Sequence, residues 1–232
     1  MKKYKYSSLI HQYYKELKKA YSMGYPIIPL CRIFFKYLVQ NRIKRDRLEM
    51  GIPWLVKDVV NFLEKNIKEG QLVFEYGSGA SSYYFLKNGL KLVSVEHDKD
   101  WYEKVKSFLL EKGFLDFSLN LIEPEDISPE RPKVSSEKDP RFKGYDYSKY
   151  SKFISSFPDD HFDIILIDGR VRIECLRNSM AKLKHGGLLV FDNTERKNYA
   201  DGLNSINLNV VLRSFGFVDY DLGFTETSVF RK

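Results

Sequence analysis

The sequence predicts an α/β protein: a doubly wound, mostly parallel sheet of seven strands with a C-terminal antiparallel hairpin, preceded by a helical N-terminal extension. Three observations predict it. From Gln71 onward, short apolar runs alternate with helix-compatible stretches, and right-handed crossovers between parallel strands put such helices on both faces of a sheet. The last two apolar runs, Phe217 to Leu222 and Thr227 to Arg231, are joined by too short a link for a crossover, so that pair must be antiparallel. Finally, charge divides the chain, with 15 basic and 6 acidic residues (net +9) over 1 to 69 and 23 and 25 (net −2) over 70 to 232.

In order, residues 3 to 20 and 30 to 48 read as helices parted by Gly24-Tyr25-Pro26, and Pro53 opens a third that runs to about Ile67. These make up the extension, residues 1 to 69. The body, residues 70 to 232, begins with strand Leu72-Val73-Phe74, helix Ser81 to Lys87, strand Leu92 to Val95, helix Trp101 to Leu110 and strand Phe117 to Ile122. Residues 124 to 149 contain four prolines, many charges and no apolar period, which predicts an irregular loop. A loop of that length is either functional or a plain mobile surface segment, and Tyr145, Tyr147 and Tyr150 near its end suit a cover over a substrate. Tyr150 to Phe157 then takes the next helical position, followed by strand Asp163 to Ile167, helix Ile173 to Leu183, strand Gly187 to Phe191, a helix around Ile206 to Ser214 and the terminal hairpin.

With 43% hydrophobic and 15% aromatic residues, the 232-residue chain buries a full core, which excludes a disordered or fibrous protein. Cys31 and Cys175 lie far apart without CxxC or Cys/His spacing, against a disulfide scaffold and a structural zinc site. The expected compartment is therefore reducing and cytoplasmic. The longest mostly apolar stretch, Ile27 to Val39, is broken by Pro29, Arg32 and Lys36 and is shorter than a membrane span. The near-neutral body argues against a nucleic-acid groove, and the basicity of the extension reads either as a solvated helical face or as contact with phosphates or an anionic membrane. For the membrane reading, residues 27 to 48, with Phe34, Phe35 and Tyr37 beside Arg32 and Lys36, would form a basic amphipathic helix.

The strongest chemical signal is Phe74-Glu75-Tyr76-Gly77-Ser78-Gly79-Ala80-Ser81, directly after the first strand. Two glycines let backbone approach a ligand closely, and the start of the next helix offers free N–H groups. As a dinucleotide fingerprint it fails, because Ser82 stands where GxGxxG needs its third glycine. The second strand ends Val95-Glu96-His97-Asp98, where doubly wound nucleotide binders place a carboxylate that takes both ribose hydroxyls. Asp98 reads as the cap of the Trp101 helix, and His97 either lies beside an adenine or is a loop residue.

ExGxGxS after the first strand resembles the cofactor loop of class I S-adenosylmethionine-dependent methyltransferases, and the resemblance covers residues 70 to 232, hairpin included. It implies S-adenosylmethionine as cofactor, held by Glu75, Tyr76, Gly77, Ser78, Gly79, Ser81, Glu96 and His97, with Glu75 near the methionine amino group. The fourth strand ends Ile167-Asp168-Gly169-Arg170 and the fifth Phe191-Asp192-Asn193-Thr194, similar to the catechol and caffeoyl-CoA type O-methyltransferases. That similarity implies Asp168, Asp192 and Asn193 as ligands of Mg²⁺, which would lower the pKa of an acceptor hydroxyl, with Asp168 or Asp192 handling its proton directly or through the ion. The sequence departs from it at Val171, which replaces the lysine base, with Arg170 and Arg172 on either side. The implied activity is O-methylation of a small molecule or glycan. A nucleic-acid methyltransferase using the basic extension is the less favoured reading, since Asp-Gly-Arg is not the Asn/Asp-Pro-Pro-aromatic motif of amino-methylating base enzymes. A non-catalytic adaptor of the same fold stays open. Pro53-Trp54 either borders the active site or anchors the extension.

Overall fold

The computed structural model describes residues 3–43, 45–126 and 144–232. In α1 (Tyr6–Ser22), Leu9, Tyr13 and Ala20 recur at helical spacing and are buried. Where one helix is expected over 30 to 48, the chain forms α2 (Ile27–Arg32), α3 (Phe34–Asn41) and α4 (Arg47–Met50). Ile33 leaves the helical conformation between the first two. After α3 the backbone is used elsewhere: Tyr4 N–H donates to Arg42 C=O at 3.0 Å and Lys3 pairs with Ile43. Asp46 then restarts the helix as the cap of α4, accepting from Leu48 N–H at 2.9 Å. Among the described residues of 27 to 48 there is no continuous amphipathic helix, since the chain leaves the helical conformation at Ile33. Leu30 and Tyr37 are buried with Tyr13 against Phe217 and Phe224, while Phe35 remains 77% exposed. In α5 (Lys57–Asn66), Val59, Val60 and Leu63 are buried.

Seven strands form the sheet: β1 (Leu72–Tyr76), β2 (Lys91–Glu96), β3 (Ser118–Leu121), β4 (Phe162–Ile167), β5 (Leu183–Asp192), β6 (Asn209–Phe217) and β7 (Phe224–Arg231). Their order is β3-β2-β1-β4-β5-β7-β6, parallel except for β7, which is antiparallel to both neighbours. The crossover helices are α6 (Ala80–Lys87), α7 (Lys99–Glu111), α8 (Ser148–Lys152), α9 (Arg172–Ser179) and α10 (Ala200–Asn204). Alternation along the strands sends Val73, Ile164, Leu166 and Val190 to one face, where α5, α6 and α7 supply Leu63, Phe85 and Leu109. The other face carries Phe74, Tyr76, Ile165, Ile167 and Phe191 against Tyr150, Ile154 and Leu176.

Two expectations are corrected. The segment 206 to 214 is not a helix; β6 starts at Asn209, and the β-branched pair Val210-Val211 with Phe215 and Phe217 suits the pleated edge it occupies. Of the loop expected over 124 to 149, Glu125–Asp126 pairs antiparallel with Tyr145–Asp146, and α8 follows at once. Tyr147 and Tyr150 have no exposed surface and belong to the core, so they do not cover a substrate. Residues 127–143, where the rest of that loop lies, are outside the described residues.

Candidate active site

The strand order reverses between β1 and β4, which opens a crevice at the carboxyl ends of these two strands. A cleft of about 1780 Å³ lies there. It is lined by the glycine loop, Glu96, His97 and Trp101, by Arg45, Arg47 and Trp54 from the extension, by the β6–β7 turn, and by Asp168, Arg172, Asp192 and Asn193.

The glycine loop is held from three sides. Gly77 has φ +89°, and a Cβ there would lie 3.0 Å from Gly169 Cα, so both backbone conformation and the neighbouring strand end require glycine. Ser82 explains why the third glycine of a dinucleotide loop is missing: its hydroxyl accepts from Gly79 N–H at 2.9 Å and donates to Glu75 at 2.5 Å. On top, Trp101 lies 3.6 Å from the Cβ position of Gly79 and donates its indole N–H to Ser78 C=O at 2.7 Å. Nothing in the sequence pattern gave Trp101 this place, because its helix position reads as half-exposed surface.

Glu75 does not reach the cleft. Strand alternation turns it to the α6 face, where it is fully buried and also accepts from Ser94 on β2 at 2.9 Å. Burial pushes it up to about 7, against the lowering effect of the serine hydroxyls. Tyr76 points to the opposite face, its hydroxyl donating to Ser151 C=O at 2.7 Å. Both therefore support the loop from behind, and their side chains are not on the cleft wall.

Glu96 lies on that wall. Its Oε2 accepts from Ser78 N–H and hydroxyl at 3.0 and 3.1 Å, and its Oε1 from the N–H groups of His97 and Asp98 at 2.7 and 3.0 Å. Burial opposes its charge, yet the His97 side chain and these N–H groups prevail and hold the carboxyl below the usual range. The His97 ring stands between Glu96 and Arg170, with Nδ1 2.7 Å from Glu96 Oε1 and Nε2 accepting from Arg170 Nε at 3.1 Å. Asp98 caps α7, as expected, accepting from Trp101 N–H at 3.0 Å. Ser81 lines the cleft at the start of α6.

Asp168, Asp192 and Asn193 come together at the ends of β4 and β5, but not as an open set of oxygen donors. Arg172 lies between the aspartates, 2.7 Å from Asp168 Oδ1 and 3.3 Å from Asp192 Oδ2. The other Asp192 oxygen accepts from the Thr227 hydroxyl at 2.7 Å, and the Asn193 side-chain amide donates to Thr225 at 2.5 Å. A divalent ion needs several oxygens free to turn toward it, and these residues do not fit one. Among the described residues no three His, Cys, Asp or Glu side chains are grouped to hold a metal. Asp168 keeps 22% of its side chain open. Desolvation pushes its carboxyl above the usual range, with Arg172 opposing and Asp192 reinforcing.

No family model matches the chain, and no curated protein sequence does either. Solved structures do. An rRNA methylase from Streptococcus thermophilus aligns with a TM-score of 0.51 at 12% identity, covering 74% of this chain and 92% of the other. A putative rRNA methylase from Clostridium thermocellum aligns with a TM-score of 0.50 at 13% identity, over 74% and 92%. TrmN from Thermus thermophilus reaches 0.52 at 13% identity, over 74% of this chain and 47% of that one. The fold is that of class I methyltransferases. Within that fold the cleft described above lies where the reversal of strand order puts it, and residues of the extension contribute to its lining.

Proposed function

We propose that the protein is an S-adenosylmethionine-dependent methyltransferase that acts on a hydroxyl of a small molecule or glycan. The observation that carries this reading is Glu96: a buried carboxylate at the end of β2, held ionised beside a glycine loop that only glycine can form at position 77. Its two oxygens suit two adjacent ribose hydroxyls, with the Ser78 hydroxyl giving way while the backbone N–H bonds stay. S-adenosylmethionine supplies an electrophilic methyl group on a sulfonium. The chain supplies positioning: backbone N–H groups of the loop for the cofactor, and the extension and hairpin turn, which share the cleft with Asp168, for an acceptor. Asp168 has one oxygen on Arg172 and lines the cleft, a position from which its carboxylate can take up the hydroxyl proton as the new bond forms.

The test is calorimetric titration with S-adenosylhomocysteine. The wild-type protein is expected to bind it, and Glu96→Ala to weaken binding by about 2 kcal/mol, the scale of hydrogen bonds to a charged group, in a variant that keeps its fold. Unchanged affinity in folded Glu96→Ala would remove the assignment. A second acceptor class, RNA, is favoured by the solved neighbours named as rRNA methylases and by Arg45, Arg196 and Lys197 along the cleft. RNA binding that weakens steeply with salt would replace the small-molecule reading.

A further inference from the structure

Arg172 is the first residue of α9, and its guanidinium makes five contacts that account for its five N–H donors. Nε donates to Gly169 C=O at 3.1 Å, one Nη to Asp192 C=O at 2.5 Å and Asp192 Oδ2 at 3.3 Å, and the other to Asp168 C=O at 3.2 Å and Asp168 Oδ1 at 2.7 Å. Its side chain is only 8% exposed. All five acceptors belong to the ends of β4 and β5, where backbone carbonyls have left the ladder and two carboxylates stand close together. The preceding residue is strained: Val171 has φ +43°, a left-handed conformation that a β-branched side chain rarely takes. That kink turns the chain so that residue 172 starts the helix pointing back at the strand ends.

We propose that Arg172 is the resident cation of this site, standing where a divalent ion would otherwise bridge Asp168 and Asp192, and that it positions Asp168 without any metal. A guanidinium does here what an ion would do, fixing the geometry of the two carboxyl groups, but it is covalently part of the chain. The inference bears on the same cleft as the methyltransferase reading, and only its mention of an acceptor rests on that reading.

The experiment is Mn²⁺ binding followed by electron paramagnetic resonance on the full chain, with S-adenosylhomocysteine affinity measured on the same samples. Wild type and Arg172→Lys, which keeps a cation, are expected to bind no Mn²⁺ at the strand ends. Arg172→Ala is expected to gain one Mn²⁺ site that disappears when Asp192→Asn is added. If Arg172→Ala does not fold, Arg172→Met keeps the apolar stem while removing the charge and its N–H donors. Mn²⁺ bound by wild type and lost in Asp192→Asn overturns the proposal with no variant at 172 needed. So does a folded Arg172→Ala or Arg172→Met that gains no site, since Arg172 is then only a staple between strands. Failure of wild type to bind S-adenosylhomocysteine would instead count against the methyltransferase reading and leave the metal result standing.

Discussion

Glu75 and Glu96 sit on neighbouring strands, yet burial dominates one and hydrogen bonding the other. Glu75 receives two hydroxyls, and its Oε1 has no hydrogen-bond partner among the described residues, so its pKa rises to about 7. Glu96 receives several N–H groups and its pKa falls. An acid whose folded pKa lies above its unfolded value binds more protons in the native state, so its contribution to stability declines as pH rises. For Glu75 the window runs from the ordinary value of 4.5 to about 7. Across it the wild type should lose up to about 3 kcal/mol that Glu75→Gln does not lose, measured by urea unfolding at several pH values. Equal pH slopes in the two proteins would show that Glu75 is not desolvated as described. At this scale the sequence put Glu96 at a strand end, and it lines the cleft there, whereas strand alternation turns the Glu75 side chain away from the cleft to the α6 face, because the motif does not record which face of the strand each residue occupies.

Among the elements, the β1–α6 turn depends on its glycines unequally. Gly77 is left-handed and packed against Gly169, whereas Gly79 has extended backbone with ordinary contact distance to Trp101. Gly77→Ala should cost about 1 kcal/mol in backbone strain, and more from contact with the β4 end, and weaken S-adenosylhomocysteine binding along with stability. Gly79→Ala should leave thermal stability near wild type and report on ligand contact alone. Parity of the two variants in Tm would contradict the geometry. The parallel strands were legible because each is a buried apolar run bounded by turn residues. β6 was not, because its first half is an exposed edge whose apolar residues fit a helical period as well as a strand. Arg172 stood in plain view as a surface-type residue, since no pattern announces a strained valine that turns an arginine inward.

Over the whole molecule, the extension and the body share their interior. Val59, Val60 and Leu63 of α5 lie in one cluster with Val73 and Phe85, and Leu9, Tyr13 and Tyr37 in another with Phe217 and Phe224 of the hairpin. The charge change near residue 70 marks a boundary in surface composition, and packing crosses it. Tyr13 touches Phe34, Tyr37 and Phe224 at ring-centroid distances of 4.9, 4.8 and 5.3 Å. Tyr13→Ala should therefore destabilise the full chain by about 3 kcal/mol or more, in a single unfolding transition. An early, separate transition would mean that the extension melts independently.

The β6–β7 turn has two clients. From behind, Tyr37 donates to Leu222 C=O at 3.1 Å and Glu16 accepts from Phe224 N–H at 3.2 Å; within the cleft, Arg47 donates to Tyr220 C=O at 3.0 Å, beside Gly223 and Thr225. A molecule that settles into that part of the cleft presses on the same few peptide units that anchor the extension. Occupancy should then be felt remotely: amide hydrogen exchange in α3 should slow on acceptor binding, although no residue of that helix lines the cleft. The turn would act as a washer between two parts, tightened from one side and felt on the other.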